Sequence, residues 1–268
     1  MFKGKTVVIT GGASGIGAAL ARGFIAEGAK VCIADLNSEA VQRVSAELGC
    51  MGQVCNVCSE PQIIDLVNSV EDQLGAIDIF VSNAGLAKSE PSHAASASND
   101  DWQLNWEVHV MSHVYASRAL LPNMIERGGG HLVNVASAAG LLNQIGDAAY
   151  SATKHAAVSF AESLAITHND DGIDVSVVCP QYIATPLLEM SDDTVVEGSL
   201  MSASTAAQAI MAGIAAKDFL ILPHAQVSEY CKIKGADHAG WLNGMKGLRR
   251  KFLRESETGD LREMHKFV

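Results

Sequence analysis

No stretch of this sequence approaches the roughly 18 consecutive apolar residues that mark a membrane-spanning helix, so no span is expected. Positive charge is scarce. The 268 residues hold 19 Lys and Arg against 30 Asp and Glu, a formal net charge of −11. Phosphate repels such a body, so no nucleic-acid partner is expected. Charged residues are only 18% of the chain and hydrophobic ones 48%, which excludes a disordered protein and supplies one large core. A secretory leader is not expected. Met1-Phe-Lys-Gly-Lys5 runs straight into an apolar strand-like segment and a glycine turn, where a leader needs a longer apolar run and a cleavage site. Internal repeats, low-complexity tracts and Pro/Gly-rich linkers are also missing, which favours a single domain. Cys55-Asn-Val-Cys58 has no second CxxC or paired His to complete a zinc site of about four ligands. His109 and His113 offer two ligands one helical turn apart without a third, so no metal is expected. The six cysteines sit mostly in apolar runs and read as small hydrophobes of a reduced, cytoplasmic protein.

What is present is alternation. Apolar, Val- and Ile-rich runs occur at Thr6–Thr10, Lys30–Ala34, Gln53–Val57, Ile77–Ser82, His131–Val135, Asp174–Cys179 and Phe219–Leu222. Between most of them lie segments of helical period, such as Gly17–Glu27, Ser38–Leu48, Glu60–Leu74 and Ala148–Thr167. Strands apolar on both faces belong to a parallel sheet, and strand–helix alternation makes that sheet doubly wound. The expected fold is therefore a single α/β domain, Rossmann-like, with seven parallel strands and helices on both faces. After Pro180 an irregular stretch contains a candidate substrate lid, Leu187–Leu200.

Thr10-Gly-Gly-Ala-Ser-Gly-Ile-Gly17 follows the first strand and opens a helix. Gly11 permits a sharp turn. Gly15 and Gly17 let the backbone approach a pyrophosphate, and the free N–H groups at the helix start face its charge. Asp35 closes the second strand, 18 residues after Gly17. A carboxylate there accepts from both ribose hydroxyls and repels a 2′-phosphate. Leu36 follows, and the glycine turn holds no Arg or Lys, so the expected cofactor is NAD rather than NADP. Capping the next helix is the alternative role for Asp35, although Asn37 or Ser38 could do that.

Tyr150-Ser-Ala-Thr-Lys154 puts a phenol and an ammonium four residues apart on one helix face. A nearby ammonium favours the phenolate and suits the Tyr for proton transfer. Ser137 follows the strand His131–Val135, where its hydroxyl could orient a substrate oxygen. With Asn83-Ala-Gly85, Pro180 and Thr185-Pro186, and with Tyr150 standing 13 positions after Ser137, these motifs are in register over about residues 4–222. In that set the chain resembles the short-chain dehydrogenase/reductase family.

The resemblance implies that Tyr150 is the general acid/base. Lys154 would lower its pKa and hold the nicotinamide ribose, and Ser137 would bond the substrate oxygen. It implies that Gly11, Ser14, Ile16 and Gly17 cradle the pyrophosphate and that Asn83, Ala84 and Gly85 flank the adenosine. Asn56 and Val57 would meet the adenine; Pro180, Ile183 and Thr185 would lie at the nicotinamide. Three positions depart from the family pattern. Ser82 replaces the first Asn of Asn-Asn-Ala-Gly. Gln181 replaces the Gly after Pro and could reach the substrate. His109, seven residues beyond Trp102, stands where a catalytic Asn often holds a relay water, and its imidazole could take over that relay. Candidate substrate walls are Ala139, Asn143, Gln144, Asp147, Gln181, Tyr182, Leu187, Leu188 and Met190, a mixture suited to a moderately bulky, mostly apolar molecule with a polar handle.

The chain continues for 46 residues beyond Leu222. From Lys232 to Val268 it holds 9 basic and 5 acidic residues, net +4, leaving −15 on the rest. Trp241, Leu242, Met245, Leu248, Phe252 and Leu253 recur at helical spacing, so 223–268 reads as a helical extension with a basic face. It is expected to pack on its own 1–222 domain or on a neighbouring subunit, with an anionic membrane or substrate as the alternative. The reading as a whole is an NAD-dependent oxidoreductase acting on a small secondary alcohol or ketone, as a homodimer or homotetramer. The alternatives are a non-redox relative, such as a lyase or epimerase, and an NAD-binding sensor.

Overall fold

Val7, Val8 and Ile9 are wholly buried, as a strand with apolar side chains on both faces must be inside a covered sheet. In the computed structural model, which describes all residues except 89–91, 192–193, 196–199 and 258 (and no side chains at 261–262), they lie in the central strand β1, Thr6–Thr10. The first half continues as α1 (Gly15–Ala26), β2 (Lys30–Asp35), α2 (Ser38–Leu48), β3 (Met51–Val54), α3 (Glu60–Leu74) and β4 (Ile79–Ser82). Next come α4 (Asn99–Trp106), a π turn over Glu107–Met111, α5 (Ser112–Glu126), β5 (Gly130–Val135), α6 (Ala148–Thr167) and β6 (Ile173–Val178). A small parallel pair, β7 (Ile183–Ala184) with β8 (Met201–Ser202), precedes α7 (Ala203–Ala216) and β9 (Leu220–Ile221).

The main sheet has seven parallel strands in the order β3-β2-β1-β4-β5-β6-β9. Leu20 and Phe24 of α1 pack with Ile210 and Ile214 of α7 on one face; Leu66 of α3, Leu120 of α5 and Ala157 of α6 cover the other. The chain winds away from β1 in both directions, so a crevice opens beyond the carboxyl ends of β1 and β4, where such sheets bind ligands.

The third strand is two residues earlier than the apolar run suggested. β3 is an edge strand with alternating burial, paired from Cys32–Met51 to Asp35–Val54. Cys55 still donates its N–H to the Asp35 carbonyl at 2.9 Å; beyond it the Asn56 side chain accepts the Cys58 N–H at 3.0 Å, a local turn that takes Asn56 and Val57 off the sheet. Local capping sets other boundaries. Asn37 accepts the Ala40 N–H at 3.0 Å to start α2, and Gly49 ends it in the left-handed region at φ 63°.

The extension forms α8 (Gln226–Ala236), α9 (His238–Glu255) and a 3₁₀ segment, Leu261–Phe267. It packs against its own chain. Val227 lies in a cluster with Ala138 and Leu142, and the Lys234 ammonium donates to the carbonyls of Leu141 (2.6 Å) and Leu142 (3.0 Å). On α9, Phe252 is buried and Trp241, Met245 and Leu248 half-buried, while Lys246, Arg249, Arg250 and Lys251 face outward. Among the described residues no helix is long and apolar enough to cross a membrane.

Candidate active site

A cavity of about 960 Å³ runs along the crevice, from Asp35, Leu36, Asn56 and Val57 at one end to Ser137, Tyr150 and Lys154 at the other. Gly11, Ser14, Gly15, Ile16, Asn83, Ala84, Gly85, Pro180, Ile183 and Thr185 line its length. Its shape depends on glycine. A Cβ on Gly17 would lie 2.2 Å from the Gly11 carbonyl oxygen, and one on Gly11 would lie 2.9 Å from the Ala84 Cα. Gly17 itself is a packing residue and not part of the wall. Ser14 is extended and its side chain makes no capping bond, so the first N–H groups of α1 have no side-chain acceptor there. A helix start with free donors and no Cβ in the way fits a pyrophosphate.

Asn83 clamps this turn. Its Nδ2 donates to the carbonyls of Thr10 (2.9 Å) and Gly11 (3.2 Å), while the Thr10 hydroxyl accepts the N–H groups of Asn83 (3.0 Å) and Ala84 (3.2 Å). Thr10 opens the glycine-turn motif, but the sequence did not assign its hydroxyl this role as acceptor for the loop after β4. Asp35 is held by the N–H groups of Ala13 (3.2 Å) and Asn37 (3.1 Å), while Asn37 caps α2. Asp35 is thereby fixed at the cavity wall rather than used as a cap.

At the other end, Asp147 starts α6 by accepting the Tyr150 N–H at 3.1 Å, and the helix presents Tyr150 and Lys154 on one face. The Lys154 ammonium lies 5.6 Å from the Tyr150 ring centroid and donates to the Val135 carbonyl at 3.1 Å. Ser137 accepts the Ala139 N–H at 3.1 Å and donates to the Pro180 carbonyl at 3.5 Å, and its hydroxyl is near enough to the Tyr150 phenol to favour the phenolate. Burial dominates the titration of the pair. It pushes Tyr150 up to about 12, against the lowering effect of Ser137, and Lys154 down to about 8. Among the groups that shift Tyr150 here, Ser137 lowers its pKa while desolvation and the nearby Asp147, Cys179 and Tyr182 raise it.

His109 sits in the π turn and is wholly buried. Its Nε2 accepts the Leu86 N–H at 3.2 Å, so the proton is on Nδ1, which donates to the Thr153 hydroxyl at 3.0 Å. Burial and the nearby Lys154 charge hold it well below the usual histidine range. The ring stands edge-on to Tyr150, centroids 5.3 Å apart.

Gln144, Asp147, Gln181, Tyr182, Leu187 and Leu188 line the Tyr150 end, while Ala139 supports Ser137 from outside the wall. Gln181 accepts from the Gln226 side chain at 3.3 Å, and its N–H donates to His224 at 3.1 Å. Leu86, Ala87, Leu104, Val108, Ile145 and Asp260 also line the cavity, without having been anticipated, as does Glu189 from the expected lid. Met190 lies in a separate groove, and lid positions 192–193 and 196–199 lie outside the described residues. Among the described residues no group of three or more His, Cys, Asp or Glu is placed to hold a metal ion.

Residues 5–195 match the family described as short chain dehydrogenase. The chain is 36% identical over 191 residues to 1-deoxy-11-beta-hydroxypentalenate dehydrogenase of Streptomyces exfoliatus, spanning 69% of this chain and 70% of that one. It is 36% identical over 187 residues to meso-2,3-butanediol dehydrogenase of Serratia marcescens, spanning 69% and 73%. A short chain dehydrogenase/reductase from Burkholderia phymatum in complex with NAD superposes with a TM-score of 0.80 at 26% identity, covering 88% of this chain and 94% of that one.

Proposed function

This chain belongs to the short-chain dehydrogenase/reductase family of oxidoreductases, and from that premise we propose that it moves hydride between NAD and a secondary alcohol or ketone. The observation that carries this reading is the convergence of Ser137, Tyr150 and Lys154 on the wall of the same cavity that Gly11, Ser14 and Asp35 line. When bound, the nicotinamide supplies the hydride acceptor for an alcohol and the donor for a ketone.

The chain's own residues do the rest. Ser137 and Tyr150 bond the substrate oxygen. In ketone reduction the Tyr150 phenol gives its proton to that oxygen; in alcohol oxidation its phenolate takes the proton away. Lys154 keeps a positive charge 5.6 Å from the ring, a counter-charge for the phenolate as it forms. Asp35 favours NAD, since Lys154 is the one cationic side chain among the described lining residues and stands at the far end. His109 acts as a brace: both ring nitrogens are committed to Leu86 and Thr153, which supports positioning over the expected relay. Apolar Leu86, Leu104, Val108, Leu187 and Leu188 beside Gln144 and Tyr182 suit a moderately bulky, mostly apolar substrate with a polar handle. The similar proteins are named for dehydrogenation of hydroxylated small molecules, which supports the reading of this chain as an alcohol oxidant. The enzyme is read as cytoplasmic, consistent with six free thiols, and as a homodimer or homotetramer, with Leu104 and Trp106 of α4 exposed apolar candidates for the contact.

The test is NADH production from a panel of secondary alcohols, run with NAD and NADP. Turnover with NAD and much weaker turnover with NADP is expected. Measurable NAD binding with no reduced cofactor from any alcohol overturns the reading and favours a non-redox relative or a sensor.

A further inference from the structure

Two strips of the cavity wall beside Tyr150 are held from behind by the C-terminal extension, which lies beyond residues 5–195 that match the family. The first strip ends at Gln144. Just before it, the carbonyls of Leu141 and Leu142 accept from the Lys234 ammonium, and Leu142 packs with Val227 of α8. The second strip is Gln181–Tyr182. His224 accepts the Gln181 N–H at 3.1 Å, and the Gln226 amide donates to the Gln181 side-chain oxygen at 3.3 Å. Gln181 stands where the family pattern has Gly, and a Gly could not form this second bond. The buried His265 ring lies 6.1 Å from the Tyr182 ring. Its segment is anchored by buried Met264 and by Phe267, edge-on to Phe252 at 5.4 Å.

The two strips meet at one bond, from the Tyr182 hydroxyl to the Gln144 side-chain oxygen. At 3.3 Å this is long for a hydroxyl donor. A wall joined so weakly keeps its width only if both sides are supported, and the supports come from the extension.

We propose that the extension is a buttress that sets the width of the cavity beside Tyr150, with His265 as the positioning residue for Tyr182. The extension thereby fixes the bulk of the alcohol admitted. This rests on the dehydrogenase reading for the class of ligand, and the test separates the two. The probes are cyclohexanol and trans-2-decalol, a single-ring and a fused-ring secondary alcohol. Binding of each is measured by calorimetry to the full-length protein saturated with NADH, a dead-end complex that needs no turnover. His265→Ala lets the phenol fall back and should move the affinity ratio about ten-fold toward the decalol, with NADH affinity kept. His265→Phe restores a ring and should return the ratio to within about two-fold of wild type. In a Tyr182→Ala background His265→Ala should move the ratio no further, because it acts through that phenol. A wild-type ratio in folded His265→Ala, an equal shift in the Phe variant, or a further shift in the Tyr182→Ala background overturns the proposal. If His265→Ala does not fold, Gln226→Ala on half-buried α8 surface takes its place. It should shift the ratio the same way by about two- to three-fold, and an unchanged ratio there overturns the proposal. A shifted ratio with no turnover of either alcohol sustains it and overturns the dehydrogenase reading instead.

Discussion

The two ends of the cavity are made of different material. The nucleotide end is backbone and glycine: the donors of α1, the turn Gly11–Gly17, and one carboxylate at Asp35. The alcohol end is side chains whose titration desolvation displaces, namely Tyr150, Lys154 and Tyr182, with buried His109 edge-on to Tyr150 outside the wall. Backbone recognition is steric and does not depend on pH. Recognition by buried titratable groups supplies chemistry, and desolvation is its cost.

The sharpest separation of the two ends comes from Tyr150→Phe. It removes the proton donor and leaves the cradle, so kcat should fall by about 10²–10⁴-fold while NADH affinity, read by fluorescence titration, stays within about two-fold. A parallel loss of affinity would join the two ends. Asp35→Ser acts from the opposite side. Removing the charge that opposes a 2′-phosphate should shift the NAD-to-NADP ratio of kcat/KM by about ten- to a hundred-fold toward NADP, with the alcohol KM unchanged.

Lys154→Met tests the cost of the alcohol end. The folded chain holds the Lys154 proton at about 8, below the ordinary value of 10.5. Between those pH values the unfolded chain binds a proton that the folded chain does not, so this group's destabilisation is full below pH 8 and is relieved toward 10.5. The inactive Met variant should therefore be about 1–3 kcal/mol more stable than wild type in urea at neutral pH, with the gap closing as pH rises. A gap that persists at high pH would mean that packing, not charge, is responsible.

The smallest effect is expected at His109. His109→Asn should keep one of the two bonds and leave the pH profile of turnover in place, whereas His109→Ala leaves the Leu86 N–H without its acceptor and should cost about 1–3 kcal/mol of stability. A shifted profile in the Asn variant restores the relay.

The same contrast explains what could be read without coordinates. The glycine turn was legible because its requirement is largely local: the missing Cβ atoms of Gly11, Gly12 and Gly17 face neighbours within a few residues or on or just past the adjoining strands, while that of Gly15 faces distant Thr185. The central strands were legible because they are apolar on both faces. β3 was displaced because an edge strand alternates, and because after Cys55, which still bonds Asp35, the hydrogen bonds of Asn56–Cys58 turn away from the sheet. The triad Ser137–Tyr150–Lys154 was legible as spacing, but not the dominance of burial over charge, which depends on what surrounds it. The stripe Trp241, Leu242, Met245, Leu248, Phe252 and Leu253 announced a docking helix, although Leu242 and Leu253 stay exposed. Nothing in it announced where the chain would arrive afterwards, because periodicity specifies a face and not a destination. Asp260 was therefore invisible, and so was the Thr153 hydroxyl that receives His109.

One run of contacts joins the two ends. Thr10 and Gly11 hold Asn83, Ala84 follows, and Leu86 passes through His109 to Thr153 on α6. Four residues of loop thus connect the phosphate cradle to the helix bearing the phenol. Amide protons at Asn83, Ala84 and Leu86 should exchange with solvent in a single opening event, not as independent frays. Where that opening is rare, the spacing between the glycine turn and the helix that bears Tyr150 is kept by the same few bonds, and thermal motion at one station is felt at the other.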